Sequence, residues 1–182
     1  MNFNKTKPNF LALILIFSAI WIILTSFLTP TNEKNELTSP QKGFKAPDFE
    51  LTTLVGQSIH LADLEGSPVI INFWASWCPP CQSEMPEFEK FYQEYQEKGL
   101  TVLAVNSTSQ DELQAIYTFV ANENLTFPIL LDNDGSVFNL YQIQALPTTF
   151  FIDKNGMIKQ IVIGGPISIA TLRSYGIQLL KE

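Results

Sequence analysis

Two cysteines, Cys78 and Cys81, are the side chains in this chain with the clearest potential for covalent chemistry. They are the only two cysteines among 182 residues, and Pro79 and Pro80 separate them. A disulfide across such a short loop removes little entropy from the unfolded chain, so it would stabilise a fold only weakly. Small secreted folds that depend on disulfides usually carry several pairs spread along the chain. The pair therefore indicates thiol–disulfide redox chemistry rather than a structural crosslink.

Two other uses of a Cys-x-x-Cys motif are disfavoured by the ligands that the chain offers. A structural zinc site needs four ligands, and the chain supplies two cysteines and one distant histidine, His60. A haem attachment site requires a histidine directly after the second cysteine, where Gln82 stands instead. We therefore expect no metal ion, and no cofactor other than the redox-active disulfide Cys78–Cys81 itself.

The residues around the motif predict a strand that turns into a helix. Val69–Trp74 is a short, almost wholly apolar run, typical of a strand that is buried on both faces. Apolar side chains recur at helical spacing over Pro80–Lys98, and Gly99 follows as a stop signal. Cys78 would then lie at the helix N-terminus, where unpaired N–H groups and the helix dipole favour a thiolate. We predict that Cys78 is the attacking nucleophile and that Cys81, inside the first turn, resolves the mixed disulfide.

The remaining sequence from residue 46 onward alternates between strand-like and helix-like patterns. We predict further strands at Phe49–Thr53, Ser58–Leu61, Leu100–Asn106, Phe127–Leu131, Thr148–Asp153 and Met157–Gly164, and further helices at Asp111–Asn122 and Ser168–Leu180. The first two of these strands flank a turn and form a plausible hairpin. This order of elements predicts an α/β domain with a mixed central sheet flanked by helices.

An apolar stretch near the N-terminus, residues 10–28, contains no charged side chain. At ~1.5 Å per helical residue it nearly spans a hydrocarbon core of ~30 Å, so we predict a transmembrane anchor. Lys5 and Lys7 precede it, which predicts a cytoplasmic N-terminus at residues 1–9 and a catalytic domain outside the cytoplasm. The alternative is a cleaved signal peptide, whose apolar region would be ~7–15 residues long and end in a small-x-small site. No such site follows Leu28.

Composition and charge describe the rest of the chain. Residues 29–45 are rich in Pro, Thr, Asn, Glu, Lys and Ser, and this predicts a flexible tether before a domain at residues 46–182. The net charge is −7 and Arg173 is the only arginine, whereas nucleic-acid binding needs clustered Lys and Arg. We therefore expect no nucleic-acid partner.

Five segments carry a resemblance to a known family. They are Ala46–Phe49, Leu61–Gly66, Asn72–Glu84, Val102–Asn106 and Leu146–Asp153. In this order they resemble the ResA/TlpA-like group of membrane-anchored bacterial thiol–disulfide oxidoreductases, which belongs to the thioredoxin superfamily. The resemblance implies a thioredoxin-like fold from residue 45 to the C-terminus, preceded here by the transmembrane helix.

The resemblance also implies a surface for substrate. Pro147 would be the cis-proline beside the cysteines, where it exposes the backbone of Leu146 to an extended substrate peptide. The alternative is an ordinary trans proline at the start of an edge strand. Trp74 and Trp77 would supply a flat apolar rim, and Pro79 would complete the substrate-binding surface.

Glu84 is expected to manage the protons of the cysteines. It follows Cys81 by three residues, hence on the same helical face, and ResA-like proteins carry a glutamate at this place. A carboxyl with a raised pKa could deprotonate Cys81. The alternative is a solvent-facing glutamate near a helix N-terminus. Asn72 stands where cytoplasmic thioredoxins carry a buried aspartate, which strengthens the case for Glu84, although Asn72 could simply hydrogen-bond within the core.

The resemblance implies a reductase of exported proteins, with apocytochrome c as an expected client and a CcdA-like transmembrane thiol transporter as electron donor. A general reductase or isomerase of envelope proteins, in cell-wall or spore assembly, is the alternative within the fold. A peroxiredoxin-like thiol peroxidase is disfavoured because Ala75 stands where those enzymes place Thr or Ser, and Arg173 lies in the C-terminal helix. A tethered, non-enzymatic adaptor would predict that Cys78→Ser leaves function untouched.

Overall fold

A computed structural model of the chain describes residues 14–21 and 38–181. The chain forms two compact units, Met1–Asn35 and Glu36–Glu182. The second unit carries both cysteines and all seven strands described below.

The predicted anchor at residues 10–28 is described only in part. Residues 14–21 are helical and their side chains are exposed. Among the helices that the structure describes, none has both the length and the apolar character needed to cross a membrane. The other positions of the predicted anchor, together with residues 1–9 and 29–37, lie outside the described residues.

The ordered domain begins earlier than the sequence predicts. The predicted tether covers residues 29–45, but residues 38–45 are hydrogen-bonded to the domain. The N–H of Gly43 donates to the carbonyl of Ile158 at 2.8 Å, and the N–H of Ile158 donates to the carbonyl of Phe44 at 2.9 Å. The prediction of a flexible tether is therefore wrong for residues 38–45. Composition does not show this pairing because it uses backbone groups.

Seven strands form one mixed sheet in the order β2-β1-β5-β4-β3-β6-β7. The strands are β1 (Glu50–Thr53), β2 (Ser58–His60), β3 (Val69–Trp74), β4 (Thr101–Asn106), β5 (Ile129–Leu131), β6 (Thr148–Ile152) and β7 (Ile158–Ile163). The three central strands β3, β4 and β5 are parallel, and the remaining pairings are antiparallel. The predicted hairpin of β1 and β2 and the mixed sheet flanked by helices are confirmed.

Over residues 38–181, four α-helices and three short 3₁₀ turns accompany the sheet. The helices are α1 (Pro79–Tyr95), α2 (Leu113–Asn122), α3 (Ser136–Leu140) and α4 (Ile169–Lys181), and the 3₁₀ turns are Leu61–Leu64, Gln96–Lys98 and Thr108–Gln110. The sequence did not predict α3, because five residues are too few to show helical periodicity. Its start is fixed by the buried carboxylate of Asp132, which accepts the N–H groups of Val137 at 3.4 Å and Phe138 at 2.8 Å.

Strand β3 lies inside the sheet and all six of its residues are buried. Ile70 and Trp74 pack into the hydrophobic cluster that contains the apolar side chains of α1. Ile71 and Phe73 pack into a second cluster on the other side of the sheet. Because strand side chains alternate between faces, Asn72 points to the same face as Ile70 and Trp74. The strand thus presents one buried polar group to α1.

Candidate active site

The two cysteines form a disulfide at the point where β3 has ended and α1 begins. Cys78 is the N-cap of α1 with extended backbone, and Pro79 occupies the first helical position. Their Cα atoms lie 5.2 Å apart. Cys78 is 4% exposed and Cys81 is fully buried, so Cys78 is the sulfur that a partner reaches first. This difference in exposure agrees with the predicted order of attack. Both cysteines are nevertheless largely buried in the oxidised protein.

A carboxylate that the sequence did not single out holds the turn before Cys78. Asp111 accepts hydrogen bonds from the backbone N–H of Ser76 at 2.6 Å and from its hydroxyl at 2.5 Å. The amide of Asn106 donates to the same carboxylate at 2.8 Å, and so does the N–H of Glu112, also at 2.8 Å. The two donors of Ser76 thus tie the turn to the β4–α2 connection, while Asn106 and Glu112 fix the carboxylate within that connection. Asp111 begins the helix predicted over Asp111–Asn122, and an aspartate at a helix start is the signal that could have suggested a structural role.

Trp77 and Trp74 have opposite environments. Trp77 is 55% exposed, and its indole N–H donates to the carbonyl of Gln110 at 2.8 Å, so its ring has a fixed place beside Cys78. Trp74 is fully buried and its ring lies 5.5 Å from that of Phe119. The prediction that Trp74 belongs to the exposed rim is wrong, because the inward face of a buried strand carries it into the core.

Pro147 has the predicted cis peptide bond with Leu146. Pro147 is buried, Leu146 is partly exposed, and the carbonyl of Pro147 accepts the N–H of Gly164 at 2.8 Å. A second cis bond, Gly165–Pro166, was not predicted. A Cβ on Gly165 would lie 2.5 Å from Pro147 and 2.7 Å from Glu84, so only glycine fits here. The glycine brings the proline loop and the carboxyl of Glu84 against one another.

Glu84 is completely buried, and the alternative of a solvent-facing side chain is wrong. Its Oε1 accepts a hydrogen bond from the Asn72 amide and its Oε2 accepts one from the N–H of Ile167, both at 2.8 Å. Burial raises the pKa of Glu84 to about 7, although both hydrogen bonds act to lower it. The carboxyl lies one turn after Cys81 on α1 and can exchange a proton near neutral pH.

Asn72 contacts Glu84 from β3. Its Nδ2 also donates to the hydroxyl of Thr149 at 3.1 Å, on the paired residue of β6. Within the described part of the chain, the Oδ1 atom of Asn72 is buried and has no hydrogen-bond partner. Asn72 thus donates a hydrogen bond to the carboxyl of Glu84, in addition to its contact within the core.

The remaining polar candidates lie away from the cysteines. His60, on the edge strand β2, is half exposed and its Nε2 lies 2.6 Å from a carboxylate oxygen of Asp48. Over residues 14–21 and 38–181, no group of three or more His, Cys, Asp or Glu side chains is placed to hold a metal ion. The expectation that the disulfide is the only redox group stays a prediction.

The chain matches the profile of the AhpC/TSA family over residues 43–161. The chain belongs to this family. Within it, the thiol–disulfide oxidoreductase ResA of Geobacillus kaustophilus is 41% identical over 84% of this chain and 83% of the relative. The thioredoxin-like protein YneN of Bacillus subtilis is 44% identical over 68% of this chain and 72% of the relative. The predicted ResA-like relationship is confirmed, and the chain is a thiol–disulfide oxidoreductase.

Solved structures of similar proteins agree with this assignment. A thiol:disulfide interchange protein described as DsbE from Chlorobium tepidum superposes with a TM-score of 0.70 and 34% identity, over 77% of this chain and 98% of that chain. StoA from Bacillus subtilis superposes with a TM-score of 0.64 and 33% identity, over 71% and 96%. The predicted thioredoxin-like fold of the AhpC/TSA protein is therefore confirmed.

The geometry of the AhpC/TSA protein does not favour peroxide chemistry. Arg173, the only arginine in the sequence, donates two hydrogen bonds to Glu94, at 2.7 and 3.0 Å. Glu94 lies sixteen residues after Cys78 on α1, about 24 Å along a helix. Arg173 is therefore too far from Cys78 to polarise a peroxide bound there.

Proposed function

We propose that this protein reduces disulfide bonds in exported proteins outside the cytoplasm, with apocytochrome c as a client during cytochrome c maturation. The observation that carries the proposal is the Cys78–Cys81 disulfide at the N-terminus of α1, beside the cis-Pro147 loop. Its relatives named ResA and the described DsbE protein are thiol–disulfide exchangers, which supports the reaction.

The surface around Cys78 suits an extended peptide. The exposed ring of Trp77 lies on one side, and Pro79, also exposed, follows the nucleophile directly. On the other side, Leu146 is partly exposed and precedes the cis-proline, so its backbone can pair with a client strand. Apolar contacts and backbone pairing require no particular client sequence, as a reductase with several clients needs.

The reaction transfers two electrons and two protons from the dithiol to the client. The thiolate of Cys78 attacks one sulfur of the client disulfide, forms a mixed disulfide and releases the other client sulfur as a thiolate, which takes a proton from solvent. The thiol of Cys81 gives its proton to the carboxylate of Glu84. The resulting thiolate attacks the sulfur of Cys78, closes the Cys78–Cys81 disulfide and releases the second client thiolate. That thiolate takes up a proton while Glu84 returns its proton to solvent, so two electrons and two protons reach the client in total.

Glu84 fits the role of proton acceptor because its pKa of about 7 lies near working pH. Below that pH the carboxyl is protonated and cannot accept the proton of Cys81. Above it, the carboxylate is available and the resolving step is fast. Resolution is therefore expected to accelerate as the pH rises through about 7.

The direction of electron flow is tested by the reduction potential of the Cys78–Cys81 couple in the full-length protein. A value of about −250 mV or below, in the range of thioredoxin-type reductants, is expected. A value near −120 mV, as in strong oxidants, would contradict a reductase. The measurement is an equilibrium titration against glutathione or dithiothreitol, read by the fraction of free thiol.

Clients are identified by a variant that cannot resolve the mixed disulfide. Cys81→Ser should accumulate Cys78-linked complexes in cells, whereas Cys78→Ser, the matched control, should accumulate none. Apocytochrome c among the trapped proteins supports the proposed client. Other envelope proteins without it would favour the general reductase or isomerase instead.

We further propose that the protein is a single-pass membrane protein with a cytoplasmic N-terminus, and that a CcdA-like transmembrane thiol transporter reduces it. The uncharged stretch at residues 10–28 after Lys5 and Lys7 supports this orientation. Because the chain has no cysteines besides Cys78 and Cys81, a membrane-impermeant maleimide applied to reduced, intact cells reports their location directly. Labelling only after cell lysis would contradict the extracytoplasmic placement.

A further inference from the structure

Asn72 and Glu84 form a buried hydrogen bond in which only the donor end of the Asn72 amide is used. Its acceptor end would be needed only if Glu84 were protonated. A carboxylate only accepts hydrogen bonds, whereas a carboxylic acid must also donate one. An amide side chain carries a donor end and an acceptor end, and a half-turn about χ2 exchanges them. Asn72 can therefore serve either form of Glu84 from the same place.

We propose that Asn72 is a positioning residue that changes its hydrogen-bonding direction when Glu84 takes up or releases a proton. With Glu84 ionised, Nδ2 donates to Oε1, as the 2.8 Å contact shows. With Glu84 protonated, the amide turns and its Oδ1 accepts the carboxyl proton. This inference rests on the proposed role of Glu84 as the proton acceptor of Cys81.

The unpaired Oδ1 atom of Asn72 is the first support. Buried polar atoms without a partner are uncommon, and each costs about 1–3 kcal/mol. Within the described residues, this oxygen is one of two buried side-chain polar atoms that lack a partner, and it belongs to the residue that contacts Glu84. A half-turn about χ2 brings this oxygen to the position that Nδ2 now holds against Oε1, where it can accept the proton of Glu84, and Nδ2 takes the unpaired position.

The second support is the other partner of the same amide. Nδ2 donates to the hydroxyl of Thr149 at 3.1 Å, and a hydroxyl can donate as readily as it accepts. After the amide turns, Thr149 donates to Oδ1 from the position that it already holds. The N–H of Ile167 donates to Oε2 in both states, because that oxygen remains an acceptor. The turn keeps the contacts with Glu84 and Thr149 and exchanges one unpaired buried end of the amide for the other.

Of the two groups that hydrogen-bond to Glu84, only the side chain of Asn72 can reorient. Burial and the hydrogen bonds from Ile167 and Asn72 are the influences on the pKa of Glu84. The titratable groups on its own helix at this end are Cys78 and Cys81, while β3 contributes Asn72 and β6 contributes Thr149. The backbone donor of Ile167 is fixed by the fold, whereas the amide of Asn72 can reorient.

The first experiment uses the full-length protein in detergent solution, with Glu84→Gln as the control that lacks the titrating carboxyl. The side-chain NH₂ signals of Asn72 and the ¹³C carboxyl signal of Glu84 are followed by NMR between pH 5 and 9. We expect both to change with one shared midpoint near 7, and the Asn72 signals to be independent of pH in Glu84→Gln. Asn72 signals that stay constant while Glu84 titrates would overturn the proposal.

The second experiment compares two substitutions of Asn72 by their effect on the titration midpoint of Glu84. Asn72→Asp keeps the shape and an acceptor but removes the donor, and the two carboxyls then share a proton. Asn72→Leu removes both ends. We expect the titration midpoint, and the midpoint of the pH–rate profile for reduction of a peptide disulfide, to rise by about one pH unit in Asn72→Leu and by more in Asn72→Asp. A one-unit rise is a tenfold loss of rate at pH 6.

A packing effect would give the reverse order, because leucine alters the shape of the site and aspartate does not. Thr149→Val is the matched control: it removes a partner of the same amide but leaves the contact with Glu84, so its midpoint should move by less than about a third as much. Equal shifts in Thr149→Val and Asn72→Leu, or unshifted midpoints in both Asn72 variants, would overturn the proposal. If the wild type does not reduce disulfides at all, the proposed function fails, whereas the NMR titration still tests Asn72.

Discussion

Two carboxyl groups flank the cysteine turn, and the structure surrounds them differently. Asp111 is partly buried and accepts four hydrogen bonds, two of them from Ser76. Glu84 is completely buried and accepts two. Asp111 links the turn before Cys78 to the segment between β4 and α2. Glu84 lies in the interior, against the segment 165–167.

The difference indicates how one fold gives two carboxyls separate tasks. Many short hydrogen bonds from fixed donors favour a group that holds structure in place. Burial with few donors makes the charged form of a carboxyl costly and raises its pKa, which suits a group that takes up and releases protons. Asp111 is therefore expected to affect stability, and Glu84 to affect the rate and its dependence on pH.

The largest expected effect is on rate. Glu84→Gln keeps the shape of the side chain but removes the proton acceptor, so the single-turnover rate of mixed-disulfide resolution at pH 7.5 should fall by about 100-fold or more. The inflection of the rate near pH 7 should disappear with it. Rapid-quench measurement from pH 5 to 9 checks both, and a rate within about threefold of the wild type would remove Glu84 from the mechanism.

The next effect is on stability as a function of pH. The folded state raises the pKa of Glu84 from an ordinary 4.5 to about 7, so the folded chain binds this proton more tightly than the unfolded chain. The contribution to stability is fully present below about 4.5 and is lost as the pH rises through about 7. The loss should reach about 3 kcal/mol in the oxidised protein.

Denaturant unfolding at pH 4.5 to 8 measures this loss, with Glu84→Gln as the reference that lacks the titrating group. The variant should remove most of the decline between pH 5 and 7.5. The hydrogen bond to Asp48 raises the pKa of the exposed His60 ring, and the contribution of His60 is the same in both proteins. An identical decline in both proteins would show that Glu84 is not the group responsible.

Asp111→Ala should show the opposite behaviour. It leaves the N–H of Ser76 and the amide of Asn106 without their acceptor, which should lower the free energy of unfolding by about 2–3 kcal/mol. The pH midpoint of the resolution rate should stay where it is. Glu112→Ala, at the exposed neighbouring position, is the control and should change stability by less than about 0.5 kcal/mol. A shifted pH midpoint of the resolution rate in Asp111→Ala would show that Asp111 also influences the proton transfer assigned to Glu84.

The smallest effect is expected at Gln82, whose exposed side chain donates to the carbonyl of Ser76 at 2.5 Å. Gln82→Ala should cost about 0.5–1 kcal/mol, because water can replace the lost donor. Thermal unfolding measures this cost. A loss of stability as large as that of Asp111→Ala would show that the hydrogen bond to the carbonyl of Ser76 matters as much to the turn as the hydrogen bond from its N–H.

The sequence predicts the middle of the sheet well because β3, β4 and β6 are almost entirely buried. Val69–Trp74 was predicted with the bounds that the structure shows, since an apolar β-branched run has few other uses. The short helix Ser136–Leu140 and the pairing of residues 43–46 were missed. Both depend on local capping or on backbone hydrogen bonds to distant residues, and neither leaves a periodic pattern of side chains.

The site was predicted in part for the same reason. Cys78 and Cys81 follow from a motif that is continuous in sequence, and the cis-Pro147 follows from the family resemblance. Asp111 was missed because its partner Ser76 lies 35 residues away and its role appears only after folding. Trp74 was placed wrongly in the rim because the residue type suggests a surface contact, whereas the alternation of β3 carries it inward.

The pairing of Gly43 and Phe44 with Ile158 places the start of the ordered domain at the first residue of β7. The other end of β7 borders the Pro147 loop, where Gly164 bonds to Pro147, and the six residues between span about 17 Å. A protein immobilised on a resin through Thr38, which bridges to Lys45 beside Met157, should therefore present its dithiol to the surrounding solution. Such a column could capture or reduce folded clients in flow without obstruction by its own point of attachment.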